Sequence, residues 1–475
     1  MPLFFFQFGG RAFLQPISNY NFTAHLHLFK WKELNILLDV NSGAIHILDD
    51  PAYELIDQMI QMQGDLNQAQ KVLENKYPAD DLNRMVQELT SLYLNRAIFT
   101  EPEPINVDFS TMKVKALCLN VAHLCNMRCQ YCFAGQGLFG KEAGLMSIET
   151  AKAAVGFLIQ NCGDIRNLEI DFFGGEPLLV FDMLTELVDY CRELEPVYDK
   201  RFHFTLTTNS LLLDKNIIDW VIDNRIAVIL SLDGRKETND KYRVLPNGNG
   251  TYEAILPKIK EIVAKKPVSY YIRGTFTRSN LDFSRDLNHL IELGFTHISI
   301  EPAVGSEQSY AILPEDLPVV LREYEKLTDV LLESFNKGNE IDFFHYNLNL
   351  QKGPCLAKRV SGCGAGIEYL VITPEGSIYP CHQFVGNSLF YMGNIFEGKL
   401  NYLVRQKFEN NQLKNKKCQQ CWARFYCGGG CHANAYLMNG DISQPYQVGC
   451  DMHKKRIERA IYLDLKKRLL AEKTG

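Results

Sequence analysis

Apolar residues follow three successive patterns along this chain, and the changes between them mark its organisation. Over residues 25–105, two short apolar runs, Asn35-Ile-Leu-Leu-Asp39 and Ala44-Ile-His-Ile-Leu48, flank Asn41-Ser-Gly43, a tight-turn signal. Asp49, Asp50 and Pro51 then open a helix with Leu55, Ile56, Met59 and Ile60 on one face. Helical patterning continues to about Leu94, and Glu101-Pro-Glu-Pro104 forms a linker. From 110 to 310, short apolar strands at 113–121, 168–173, 202–207, 227–232, 270–276 and 297–301 alternate with amphipathic helices at 147–160, 183–194, 215–223, 252–264 and 283–293. Such repeats predict an α/β domain with a parallel sheet and right-handed crossovers, closing as an open, partial barrel. Reactive groups are then expected at the C-terminal strand ends. Residues 311–349 form a helical connector, and 456–475 a C-terminal helix. The stretch 350–455 is loop-rich, with glycines and aromatics around cysteines and few apolar residues in any regular period. Metal clusters would hold such a segment where a large core does not. Residues 1–24 are a lead-in with no assigned role.

Composition narrows the possible classes. With 475 residues, 46% hydrophobic and 22% charged, the chain is globular and long enough for two to four domains. A net charge of −6 argues against a nucleic-acid partner, and clusters such as Lys414, Lys416 and Lys417 are solvated faces. No apolar run reaches membrane-spanning length, and the start lacks a basic n-region, so a cytoplasmic protein without a membrane partner is expected. The 14 cysteines change the picture more. None precedes Cys118, three crowd into 125–132, and eight lie from Cys355 to Cys450. A secreted disulfide scaffold would be short and would spread its cysteines. Clusters of them in a long chain point to metal ligation in a reducing compartment. Cys118, Cys162 and Cys191 lie on a strand or helix faces and are expected to be small buried hydrophobes.

Cys125-Asn-Met-Arg-Cys129-Gln-Tyr-Cys132 directly follows the first barrel strand. Three thiolates on one tight loop bind three irons of a cubane and leave the fourth open to a substrate or cofactor. The plain alternative is zinc, which prefers four ligands, usually as two Cys-X2-Cys pairs. The C-X3-C-X-aromatic-C pattern resembles the radical SAM (S-adenosylmethionine) superfamily, which implies a partial (β/α)6 TIM-like barrel. It also implies that the open iron binds SAM, with Tyr131 next to the adenine, and that SAM yields a 5′-deoxyadenosyl radical. Further motifs follow the same resemblance. Gly174-Gly175-Glu176-Pro177 ends the second strand and resembles the loop that receives the SAM amino group. Asn209 ends the third strand, Ser231-Leu-Asp233-Gly ends the fourth, and Arg243 follows; these resemble the residues near SAM and the contacts to its ribose and carboxylate.

Toward the C-terminus, Cys418-X2-Cys421-X5-Cys427-X3-Cys431-X18-Cys450, with Cys363 and Cys381 upstream, resembles the SPASM domain over about 350–455. The plain alternative is a pair of zinc ribbons in a non-catalytic scaffold. The resemblance implies two auxiliary 4Fe-4S clusters, making three in all. Cys418, Cys421, Cys427 and Cys450 would hold the outer one, and Cys363, Cys381 and Cys431 the inner one. Cys355 is the candidate fourth inner ligand; without it an inner iron stays open to a substrate thiolate.

Two subfamilies compete. Anaerobic sulfatase maturases carry an Asp after the Gly-X4-Cys cysteine as base, where this chain has His382. Histidine still takes a proton near neutral pH. The N-terminal module instead resembles a winged-helix-like precursor-peptide recognition element that captures a leader by strand addition. More specifically, 27–30, 35–49, Cys125–Cys132 with Phe133-Ala-Gly-Gln136, Ser361-Gly-Cys-Gly-Ala-Gly366 and Cys381-His-Gln-Phe384 resemble maturases of SCIFF peptides. These join a cysteine sulfur to a carbon within a ribosomally made, cysteine-rich precursor. The resemblance implies that precursor as partner, with an electron donor such as flavodoxin or ferredoxin.

Overall fold

The computed structural model describes residues 20–474 apart from 306, 308 and 351–355. Cys355 and most of the lead-in therefore lie outside the described residues. The chain forms two compact units. One holds the chain up to Val107 with Leu348–Val360 and Leu413–Gly429; the other holds Asp108–Asn347, Ser361–Gln412 and Gly430–Gly475.

In the first unit, β1 (Leu26–Trp31), β2 (Leu34–Asp39) and β3 (Ile45–Leu48) form an antiparallel sheet in that order. Central β2 is buried throughout. Helices Asp50–Gln61, Leu66–Leu73 and Ala79–Leu94 follow, and Leu37, Leu55, Ile56, Met59, Leu82 and Phe99 share one core. Asp49 caps the first helix by accepting from the Ala52 N–H. Strand β1 escapes the sequence reading because its hairpin turns on Lys32, at φ +51°, and Glu33, with no Gly or Asn to announce it.

Segment Leu413–Gly429, which carries Cys418, Cys421 and Cys427, belongs to this same unit. Trp422 stacks on His27 of β1, ring centroids 3.5 Å apart. Arg424 is buried, and its Nη2 donates to Asn41 Oδ1 at 2.6 Å in the β2–β3 turn. The loop-rich sequence segment is thus shared between two units.

In the second unit, β4 (Ala116–Ala122), β5 (Asn167–Gly174), β6 (Arg201–Thr208), β7 (Ala227–Ser231), β8 (Tyr270–Phe276) and β9 (His297–Pro302) lie side by side and parallel. Helices Ile148–Asn161, Phe181–Tyr198, Lys215–Asp223, Tyr252–Ala264 and Phe283–Glu292 connect them. The sheet does not close. β10 (Asp342–Phe343) extends it beyond β9, and β11 (Tyr369–Ile372) pairs parallel to β4, followed by β12 (Ser377–Tyr379), β13 (Gly393–Asn394) and β14 (Lys399–Leu400). This is the open, partial barrel that the strand–helix alternation predicts. Strand β11 was hidden in the stretch taken as loop, where Tyr369-Leu-Val-Ile372 is too short a run to show a period. Cys118, Cys162 and Cys191 are buried as expected. Among the described residues no helix is long and apolar enough to cross a membrane.

Candidate functional site

Strand β4 ends at Ala122 and releases the loop that carries Cys125, Cys129 and Cys132. Two backbone bonds pin this loop to the chain near Arg243: Arg128 N–H to Val244 O at 2.8 Å and Gln130 N–H to Tyr242 O at 3.0 Å. Arg128 Nη1 donates to the Cys125 and Met127 carbonyls, fixing the turn from within. Cys125 Sγ accepts from the Met127 N–H at 3.4 Å. Burial pushes the Cys125 thiol up, and the Cys129 thiol up to about 12. These two sulfurs become stable thiolates beside a strong positive charge, which the irons of a cluster supply. The donor set therefore fits an iron–sulfur cluster.

The Gly174-Gly175 pair is explained by this loop. At Gly174, φ is +132° and an added Cβ would lie 2.5 Å from Ala122 O. At Gly175 it would lie 2.1 Å from Leu124 O and 3.1 Å from Cys125 Cβ. The β5 end passes this close because Gly175 N–H donates to Ala122 O (2.7 Å) and Glu176 N–H to Leu124 O (3.0 Å).

Glu176 is fully buried. Its Oε1 accepts from Thr208 Oγ1 (2.8 Å) and the Leu178 N–H (3.1 Å), and its Oε2 from the Asn209 N–H (2.8 Å). The carboxylate thus ties the β5 end to the β6 end, with lone-pair capacity left for an ammonium. Asn209 Nδ2 reaches Asn126 Oδ1 at 2.8 Å. Burial lifts the Glu176 carboxyl to about 7, against these three donors. Its unfolded value is lower, so the stability it contributes is full at acid pH and is lost as pH rises toward about 7. In Glu176→Gln one of the two carboxylate positions becomes an NH2 that faces a backbone N–H or the Thr208 hydroxyl. We expect the variant to lose about 1–3 kcal/mol and to show a flatter pH dependence below neutrality, read as urea midpoints across that window. An unchanged slope would exclude Glu176 as its source.

At the ends of β7 and β8 three predicted residues meet. Tyr131 OH donates to Asp233 Oδ2 at 2.5 Å, and Arg243 Nη1 donates to the Tyr131 oxygen at 3.2 Å. Asp233 Oδ1 accepts from the Thr275 N–H at 3.0 Å, and burial lifts its carboxyl to about 6. Ser231 ends β7 and is half-buried. Arg243 Nε, Asn126 Nδ2 and Ser210 Oγ are buried without a hydrogen-bond partner among the described residues. Unmet donors in the loops after β4 and β6 and at the end of the helix Lys236–Tyr242 fit a polar cofactor such as SAM, whose carboxylate, ribose and adenine are rich in acceptors.

In the loop after β12, Cys381 is pushed up by burial first and then by the neighbouring Cys431 and Cys363 thiols. Its Sγ accepts from the Gln383 N–H at 3.4 Å, and Cys431 Sγ from the Asn434 N–H at 3.5 Å. The charges of Cys431 and Cys363 thus reach Cys381, the three cysteines that the SPASM resemblance groups. Cys418 and Cys421 lie on one short turn, where the Cys421 N–H donates to Cys418 O, with Cys427 close behind. Cys450 lies in the first turn of the helix Gln447–Thr474. Among the described residues no three His, Cys, Asp or Glu converge on a single ion.

His382 is half-buried and stacks on Phe173 (centroids 4.9 Å apart) and Phe133 (5.2 Å). Burial, then the Arg273 charge, lowers it to about 3, so it is neutral at pH 7 and a weak base. Phe133 and Asn126 escape the sequence reading because a loop carries no periodic signal, and Phe173 because a strand aromatic reads as core. Gly137 was missed too, although an added Cβ would lie 3.0 Å from both Cys125 Cβ and Gly175 Cα.

Comparison with known proteins agrees with this geometry. Residues 119–290 match the radical SAM superfamily, and 363–422 match the SPASM iron–sulfur cluster-binding domain. A cysteine-type anaerobic sulfatase-maturating enzyme of Clostridium novyi is 27% identical over 335 residues, covering 65% of this chain and 85% of that protein. The structure of anSMEcpe with bound AdoMet and Cp18Cys peptide superposes with a TM-score of 0.62 at 22% identity, over 75% of this chain and 99% of that one. SuiB of Streptococcus suis bound to S-adenosylmethionine gives 0.52 at 18% identity, over 90% and 98%, and SuiB is also known bound to precursor peptide SuiA. The chain therefore carries a radical SAM domain joined to a SPASM iron–sulfur cluster-binding domain.

Proposed function

We propose that this radical SAM enzyme forms thioether cross-links, cysteine sulfur to carbon, in a ribosomally made, cysteine-rich precursor peptide. The observation that carries the peptide reading is the small sheet of the first unit. Strand β3 is half-buried and, among the described residues, its outer edge pairs with no other strand, which suits a leader peptide adding as a fourth. Relatives of the same fold hold peptides. With its clusters and SAM bound, the protein gains a hydrogen-abstracting radical, and an electron donor of the flavodoxin or ferredoxin class supplies reducing equivalents. Cys125, Cys129 and Cys132 would hold the first cluster, and Gly174, Gly175, Glu176, Asn209, Ser231, Asp233, Arg243 and Tyr131 would seat SAM. Cys363, Cys381 and Cys431 would hold the inner auxiliary cluster, and Cys418, Cys421, Cys427 and Cys450 the outer one.

The sulfatase-maturase reading, formylglycine formation, is favoured by the Clostridium relative and disfavoured by His382, a weak base where that subfamily carries Asp. Mass spectrometry separates the two. After anaerobic incubation with SAM and reductant, a six-cysteine precursor should lose two hydrogens per bond, retain every sulfur and resist thiol alkylation at the joined cysteines. Loss of sulfur with gain of a carbonyl oxygen would replace this reading with formylglycine formation.

A further inference from the structure

On the inner face of the sheet, between the Tyr131–Asp233–Arg243 group and the Cys381 loop, lies an ion pair with no role so far. Arg273 stands on β8 and Glu301 on β9, while the intervening Ile272, Ile298 and Ile300 are buried on the other face. Arg273 Nε donates to Glu301 Oε1 at 2.7 Å, and Nη2 donates to the same oxygen. Arg273 Nη1 and Glu301 Oε2 make no hydrogen bond among the described residues, and the side chains are 36% and 29% exposed. A guanidinium edge and a carboxylate edge of this part-exposed pair are therefore left to bond elsewhere.

The surroundings place this pair beside the residues proposed to seat SAM. Arg273 is in register with Ser231, and Thr275, which donates to Asp233, is in register with Glu301. On the opposite side, the Arg273 charge reaches His382, whose ring stacks on Phe133, the residue after Cys132. Two residues before Glu301 on β9, buried Ser299 sits 3.1 Å from His345 Nε2, and Arg456 reaches His345 Nδ1 at 3.2 Å.

We infer that Arg273 and Glu301 grip one amide of the substrate peptide, Nη1 donating to its carbonyl and Oε2 accepting from its N–H. Each charge already neutralises the other, so the pair offers one donor and one acceptor, the complement of an amide. A carboxylate ligand would meet Glu301, and an ammonium would meet Arg273. This inference rests on the peptide reading above.

The test uses the full chain, anaerobically reconstituted, with a six-cysteine precursor and its leader alone as fluorescent probes. In Arg273→Met, and in Arg273→Met/Glu301→Gln, which leaves no lone carboxylate, Kd for the whole precursor should weaken about tenfold, the worth of one hydrogen bond. Kd for the leader and for SAM should not change, and more 5′-deoxyadenosine should form per cross-link. Iron content and unfolding midpoint confirm folding, and the double variant decides should the single one fail to fold. If wild type modifies the precursor and both variants bind it as wild type does, the amide grip is wrong and the peptide reading stands. If wild type cleaves SAM and neither binds nor alters such peptides, the peptide reading falls and the grip with it.

Discussion

Replacing Cys125 with alanine should stop SAM cleavage outright and, on the three-cluster reading, leave a folded chain with about eight of about twelve irons. Alanine keeps the Cβ that lies against Gly137 and Gly175. It also keeps both backbone bonds that anchor the loop, since Arg128 and Gln130 make them. What disappears is one of three thiols on a loop that has no spare cysteine within reach in sequence. The auxiliary cysteines lie elsewhere in the chain and should retain their metal. Iron and sulfide analysis and chromatography of 5′-deoxyadenosine read the two halves of this expectation separately. Full iron with undiminished deoxyadenosine in the variant would remove the Cys125 loop from the chemistry.

How much of this was legible in the sequence follows from what each residue's role depends on. Strands β4 to β9 fall within a few residues of the predicted ranges, because their outer faces are continuous apolar alternations such as Leu168, Ile170 and Phe172. The cysteine groups were legible as spacing. The partition of the C-terminal cysteines between two compact units was not, since it depends on Trp422 and Arg424 packing on a module nearly 400 residues upstream, where Arg424 bonds Asn41. Glu176 was identified by its motif, but the motif does not show that Thr208 and Asn209 already occupy its oxygens. His382 was expected as a proton acceptor from its identity alone. Its stacking on Phe133 and Phe173 arises from strand ends that only folding brings together, and its burial and the Arg273 charge lower its pKa. The Arg273–Glu301 pair was invisible for the same reason: two charges 28 residues apart become neighbours only across β8 and β9.

A single methyl group at Gly175 should do nearly as much damage as losing a cluster ligand. The Cβ of Gly175→Ala would sit 2.1 Å from Leu124 O, a backbone atom that cannot swing aside as a side-chain tip can. Either the β5 end or the cysteine loop must retreat. The β5 end is held by Glu176 and its three donors, and the far half of the loop by Val244 and Tyr242, so the yielding part is Leu124–Cys125. Cys125 then moves relative to Cys129 and Cys132, and three sulfurs that must match one cubane no longer do. Overpacking of this kind costs about 1–3 kcal/mol, so the urea midpoint should drop while the protein still folds. SAM cleavage should fall to background, and the iron lost should be that of the first cluster alone. Gly156→Ala is the control, because Gly156 lies in the helix Ile148–Asn161 with nothing within 4 Å of its added Cβ, and alanine favours helix by about 1 kcal/mol. That variant should be at least as stable as wild type and fully active. Should Gly175→Ala behave like it, close approach of the two loops is not why glycine stands at 175, and the contact of its backbone with SAM becomes the reason to pursue.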